Sequence, residues 1–236
     1  MNRERGLRID RNRLEEGTIM THFSALVITE DSDNIEQAVD AALLPYTENR
    51  CMELPKEYLE FYEDEGCEVD IETGLRGYWI NPNAEWDWYV IGGRWHNVLK
   101  LNDGTRGDSA FIRDIDTSRD ESAYQTAKKA WEKRFSGGFD KLSDSERKKL
   151  PFELSLYTDE GLKETYGDAD FYARACSEFS FFAVVTPDGE WHDREVGTLY
   201  GLWGSNDGSK EWLDNFLSDF IAPYPDYVAT VVDCHI

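Results

Sequence analysis

The chain has 236 residues, with 48 Asp or Glu against 25 Lys or Arg, a net charge of −23, and 40% hydrophobic and 14% aromatic content. That much apolar material can bury a core, which excludes a disordered chain despite the charge. An acidic surface repels phosphate backbones and anionic lipid, so direct nucleic-acid and membrane binding are excluded; basic protein surfaces and cations are the favoured partners, with plain solubility as the alternative use of the charge.

Cys51, Cys67, Cys176 and Cys234 form no CxxC pair, and free thiols in a reducing compartment are expected. No apolar run is long enough to span a membrane, and no apolar signal-peptide core opens the chain, so a cytoplasmic protein is expected. Residues 1–19 carry five arginines and little apolar content. Glu15-Glu16-Gly17 reads back to a ribosome-binding sequence just before Met20. The expectation is a disordered or mis-translated leader at 1–19 and one α+β domain over 20–236.

From Met20 the elements follow in order. His22–Thr29 reads as a buried strand. Asn34–Leu44 is a helix with Ile35, Val39, Ala42 and Leu43 as its apolar stripe, capped from Asp31, Ser32 or Asp33. Leu54–Tyr62 is expected as a short helix and Glu63–Glu72 as an acidic loop. Arg76–Ile80 and Trp86–Ile91 read as strands joined by the turn residues Asn81-Pro82-Asn83. Val98–Leu101 and Ala110–Ile112 flank Asn102-Asp103-Gly104 as a hairpin.

Ser118–Phe135 is a helix, and Ser143–Leu150 a second one opened by a Ser143/Glu146 capping box. Residues 151–175 read as part of an insertion spanning about 103–175. Phe179–Thr186 and the Pro187-Asp188-Gly189 turn give a hairpin, and Gly197–Trp203 an aromatic strand. Ser209–Ile221 places Trp212, Leu213, Phe216, Leu217, Phe220 and Ile221 on one helical stripe. Tyr227–Ile236 is the last strand. Strand-helix-strand units at both ends predict a single α+β domain of ferredoxin-like outline, antiparallel or mixed, with first and last strands adjacent and antiparallel and a helical insertion between.

The densest stretch is Pro82–His96, with three Trp, a Tyr, an Arg and a His around Gly92-Gly93. Strand alternation puts Trp86, Trp88 and Val90 on one face and Asp87, Tyr89 and Ile91 on the other. The glycines permit a tight turn or a close backbone approach. As a ligand site, Trp86, Trp88 and Trp95 would stack on a planar molecule and Arg94 would hold an anion, with Asp87, Tyr89 and His96 beside them. As core, the rings pack and Arg94 pairs with Asp87.

A second cluster follows from the strand pairing. His22 would approach His235, with Asp233 on the same face, a donor set that suits Zn, Fe or Mn and equally suits ordinary sheet-end packing. His22-x-Ser24 matches half of the two-histidine phosphodiesterase pattern; the second copy is missing. No motif for a Ser-His-Asp triad, P-loop or dinucleotide site is present, and no cofactor is implied.

Three stretches, His22-Phe-Ser-Ala-Leu-Val-Ile28, Trp86-Asp-Trp-Tyr-Val-Ile-Gly-Gly-Arg-Trp95 and Val231-Val-Asp-Cys-His-Ile236, resemble a group of uncharacterised accessory proteins of tailed bacteriophages and prophages. The resemblance covers about residues 20–100 and 178–236. It implies a phage accessory gene acting in a bacterial cytoplasm. The leading expectation is then a non-catalytic binder that blocks a host protein with a basic surface, in defence or nucleic-acid processing. The alternative is a small-molecule or nucleotide-signal binder using the Trp/Arg motif; a metal-dependent enzyme comes third.

Overall fold

The computed structural model describes residues 22–30, 33–151, 154–155, 157–194 and 206–236. Residues 22–29 form β1 (His22–Thr29), and Ala25 to Ile28 are buried on both faces, as expected for a central strand. Helix α1 (Ile35–Leu43) is capped by Asn34, whose Oδ1 accepts from Gln37 N at 3.1 Å. The cap thus sits one residue beyond the acids expected to supply it, and such caps stabilise a helix by about 1 kcal/mol.

The acidic first half departs from expectation after α1. Leu54–Tyr62 forms only a single tight turn, Lys56–Tyr58, and then the strand β2 (Glu60–Glu63). It pairs with β3 (Gly77–Ile80). Phe61 lies over Trp79 and Tyr62 over Tyr78, with ring centroids 5.3 and 5.4 Å apart. Cross-strand aromatic pairs of this kind favour strand over helix. The Asn81-Pro82-Asn83 turn therefore leads out of one sheet and into another. Strand β4 (Trp88–Ile91) joins the main sheet instead.

Two short strands, β5 (Leu99–Lys100) and β6 (Arg106–Gly107), close the expected hairpin earlier than predicted. The return segment β7 (Ser109–Phe111) pairs with the last strand rather than with β5. The insertion then holds α2 (Glu121–Phe135), α3 (Asp144–Arg147), α4 (Asp159–Tyr166) and α5 (Ala169–Ala175). Ser143 and Glu146 form the predicted reciprocal cap of α3. Tyr124, Ala127 and Trp131 of α2 pack with Leu162 of α4 and with Tyr172 and Ala173 of α5 as a cluster of their own.

The chain returns through β8 (Ala183–Val185) and β9 (Trp191–Asp193), then α6 (Asn206–Phe216), which widens into a π turn over Leu217–Ile221. It ends in β10 (Val228–His235), buried along its whole length. The leader at 1–19 and the strand expected at 197–203 lie outside the described residues.

The main sheet runs β4-β10-β1-β8-β9, with β7 sharing the β4 edge of β10. First and last strands pair antiparallel, His22 opposite His235 and Thr29 opposite Val228. That antiparallel adjacency of first and last strands is as expected. On its other side β1 pairs parallel with β8, so the sheet is mixed and the fold is α+β.

The sheet sorts its residues by alternation. Leu26, Ile28, Val184, Ala229 and Val231 face Phe216 and Phe220 near the C-terminus. Ala25, Val27, Ala183, Val185, Val232 and Cys234 face Val39 and Leu43 of α1. Among the described residues, no helix is long and apolar enough to cross a membrane.

Candidate functional site

The aromatic motif divides between the two faces of the sheet. Residue 87 is a bend and β4 begins only at Trp88, so alternation breaks between Trp86 and Trp88. Trp86 turns into the α1 layer, is 2% exposed, and donates Nε1–H to Leu43 O at 3.0 Å. Tyr89 packs edge-on against it and donates its hydroxyl to Asp40 Oδ1 at 2.8 Å. Arg50 completes that group, holding Asp40 through both guanidinium ends. The guanidinium keeps the Asp40 carboxyl below its ordinary range, and burial pushes the Tyr89 hydroxyl up. Trp86 and Tyr89, two of the candidate ligand residues, are therefore structural.

Trp88 lies on the opposite face and is 39% exposed. Its indole stacks on the His235 ring, centroids 5.1 Å apart and planes within 16°. His22 stands edge-on to both rings, at 5.2 Å from Trp88 and 5.1 Å from His235. The register that sets His22 opposite His235 and Ser24 opposite Asp233 makes this meeting unavoidable.

Each imidazole is held by a carboxylate. His22 Nδ1 donates to Asp233 Oδ1 at 2.7 Å, and His235 Nδ1 donates to Asp87 Oδ1 at 2.6 Å. An ionised carboxylate can only accept, so the proton of each neutral ring sits on Nδ1 and Nε2 is left with a free lone pair. His235 Nε2 is buried with no hydrogen-bond partner. A buried polar atom left unmade costs about 1–3 kcal/mol.

Asp87 thus serves His235 and not Arg94, which corrects the expected internal pair. Arg94 contributes its backbone: its N–H donates to Asp233 Oδ2 at 2.9 Å, while its side chain is exposed. Gly93 makes that approach possible. Its φ is +50°, and a Cβ there would land on the Asp233 side chain. Gly92, at φ +71°, faces the Asp108 carboxylate in the same way. Asp108 in turn accepts from His96 Nδ1 at 2.7 Å, so exposed His96 belongs to the turn.

The three metal-ligand candidates do come together, but Asp233 is engaged by the His22 ring. Among the described residues, no group of three or more His, Cys, Asp or Glu side chains is placed to hold a metal ion.

Along the same face lies a cavity of about 260 Å³. Ser24 and Trp95 line its sheet side, Tyr166 and Phe171 its insertion side, and Trp212 of α6 and Arg194 complete it. Ser24 is two residues from His22 on one strand face, about 7 Å along the strand. Trp95 directly follows the residue whose N–H holds Asp233. The histidine cluster and the cavity therefore share a wall. Arg194 and the cavity were invisible to spacing: a lone arginine after a hairpin carries no motif. Ser24 was marked only as half of a two-part pattern.

Compared with family models, curated proteins and solved structures, the chain matches none. The phage resemblance is carried by its three sequence stretches alone.

Proposed function

We propose that the chain binds a small molecule at the end of the sheet where His22, His235 and Trp88 meet. The observation that carries this reading is the buried, unpartnered Nε2 of His235. Buried polar atoms are nearly always satisfied, and a ligand N–H or O–H would satisfy this one. Two carboxylate-held imidazoles also set a fixed donor–acceptor pattern, and half-exposed Trp88 offers a ring edge for packing. The reading moves the expected small-molecule site from Trp86 and Arg94 to the other face of the same motif. A thermal-shift screen against nucleotides and small aromatic acids tests it. At least one compound is expected to raise the Tm of the wild type by several degrees and to lose that effect in His235→Phe. A folded wild type stabilised by none of them would overturn the reading.

A second reading keeps the expected protein partner, for a separate surface. Ile71 is 98% exposed, and Tyr58, Tyr62, Val69, Leu75 and Tyr78 are exposed around the β2–β3 hairpin among Glu60, Glu63, Glu65, Glu68 and Glu72. Exposed apolar side chains rimmed mainly by acids, with Lys56 and Arg76 as the cations beside them, suit a basic protein partner, a host protein under the phage resemblance. Retention of a basic protein at low salt, with release at high salt and loss in Ile71→Asp, is the expected result. Retention unaffected by Ile71→Asp would contradict it.

A further inference from the structure

Five of the ten described arginines are committed to ion pairs. Arg50, Arg113, Arg119, Arg134 and Arg174 each hold a carboxylate. Arg194 differs. It lines the cavity, its Nε is buried without a hydrogen-bond partner, and no carboxylate lies against it among the described residues. Its guanidinium lies over the Phe182 ring, 5.8 Å from the centroid. Burial draws the guanidinium below its ordinary pKa, consistent with a cation that has lost water without gaining a counter-charge.

The rest of the lining points the same way. The chain carries almost two acids for every base, yet among the described residues the cavity wall contains one Arg and no Asp or Glu. A described lining with one guanidinium and no carboxylate, in so acidic a protein, favours an anion over a cation. Ser24, Thr165 and Ser180 add hydroxyls to the wall. Its remaining surface is largely aromatic, from Trp95, Phe171, Phe181 and Trp212. The Trp212 indole is fixed by its bond to Phe181 O at 2.9 Å. Its volume falls just under the roughly 300 Å³ at which pockets for drug-sized ligands begin, so one ring with one charged group is the scale it suits.

From these observations we infer that the cavity binds a small aromatic anion, a planar ring bearing a single phosphate or carboxylate that pairs with Arg194. Guanidinium forks recognise either group through paired N–H donors. The inference rests on the small-molecule reading above and extends it: the anionic end lies on Arg194 and the ring among Trp95, Phe181 and Trp212, beside the wall that Ser24 shares with the histidine cluster.

Calorimetric titration of the full chain tests it, with phenyl phosphate, benzoate, inorganic phosphate and the cation benzylamine as probes. Phenyl phosphate or benzoate is expected to bind, and whichever binds more tightly tells the phosphate source from the carboxylate source. Inorganic phosphate should bind at least tenfold more weakly than the better ring compound, and benzylamine should not bind. Arg194→Ala should weaken binding at least tenfold, and Arg194→Lys, which keeps the charge without the fork, should weaken it less. Circular dichroism establishes that each variant is folded; should Arg194→Ala fail to fold, Arg194→Lys and Ser24→Ala carry the test, each expected to weaken binding at least threefold. Failure of both aromatic anions to bind the wild type, or unchanged binding in the folded variants, would overturn the inference. The two readings separate through His235→Phe. Loss of binding there but not in the Arg194 variants removes the anion cavity and keeps the histidine site, and the opposite pattern does the reverse.

Discussion

The two faces of one sheet use the same strand for different ends. Toward α1, every polar group contributed by the aromatic motif is matched: Trp86 Nε1–H reaches Leu43 O, and the Tyr89 hydroxyl reaches Asp40, itself held by Arg50. On the far face, the same strand brings Trp88 against His235, whose Nε2 is unmatched, and the neighbouring cavity holds an Arg194 Nε that is also unmatched. Matched polar atoms lock a core, whereas unmatched ones cost stability and persist where something else completes them. Counting rings in the sequence cannot make this distinction. Counting unpaired atoms on each face does.

The comparison is broken most forcefully at Trp86. Trp86→Ala should destabilise by about 3–5 kcal/mol, as large aromatic truncations in cores do, while Trp88→Ala should cost far less and weaken ligand binding. Denaturant midpoints for both, beside a binding titration, check the contrast. Gly93→Ala comes next. Its φ and its contact with Asp233 put it on the order of 1–3 kcal/mol, and the histidine cluster should lose its geometry with it. A crystal structure or the His22 NMR signals would register that change.

A double-mutant cycle sharpens the comparison further. Asp87 and His235 should couple by about 1–3 kcal/mol, and Asp87 and Arg94 by less than about 0.5 kcal/mol, because Asp87 touches only the first of them. A smaller effect is expected with pH. The folded-state pKa of Asp40 lies below its unfolded value, so its contribution is present above the ordinary carboxylate range and is lost as pH falls from that range through the lowered folded-state value. Asp40→Asn should flatten that part of the stability curve. The smallest effect concerns thiols: alkylation of the native protein should spare Cys234, which is buried with its thiol pushed up, and label exposed Cys176.

Much of this arrangement was legible in the residues. The alternation of β1 and β10 already places His22 opposite His235 and Asp233 on their face, because period-two geometry and adjacency leave no other outcome. The Gly-Gly pair announced a close backbone approach, and Gly93 makes it onto Asp233. What could not be read was the bend at residue 87, a local break in alternation set by a bridge between Trp86 and Thr47 far back in the chain. The Arg194 cavity was equally hidden, since its walls come from β1, two insertion helices and α6, and only tertiary packing brings them together. The helix expected at Leu54–Tyr62 yielded to cross-strand aromatic pairs whose partners lie beyond the acidic loop.

The chain contains four histidines, which makes one measurement unusually clean. Nitrogen-15 spectra of histidine-labelled protein, free and saturated with 4-hydroxybenzoate, a small aromatic acid whose O–H can donate to a bare Nε2, report each ring separately. At a pH where the rings are neutral, the free chain's His22 and His235 should carry their proton on Nδ1, toward Asp233 and Asp87, with Nε2 bare. On saturation, the Nε2 resonances of His22 and His235 should move while those of His96 and His192 hold still. Four unmoved rings, or movement of exposed His96 alone, would contradict a ligand site at the end of the sheet.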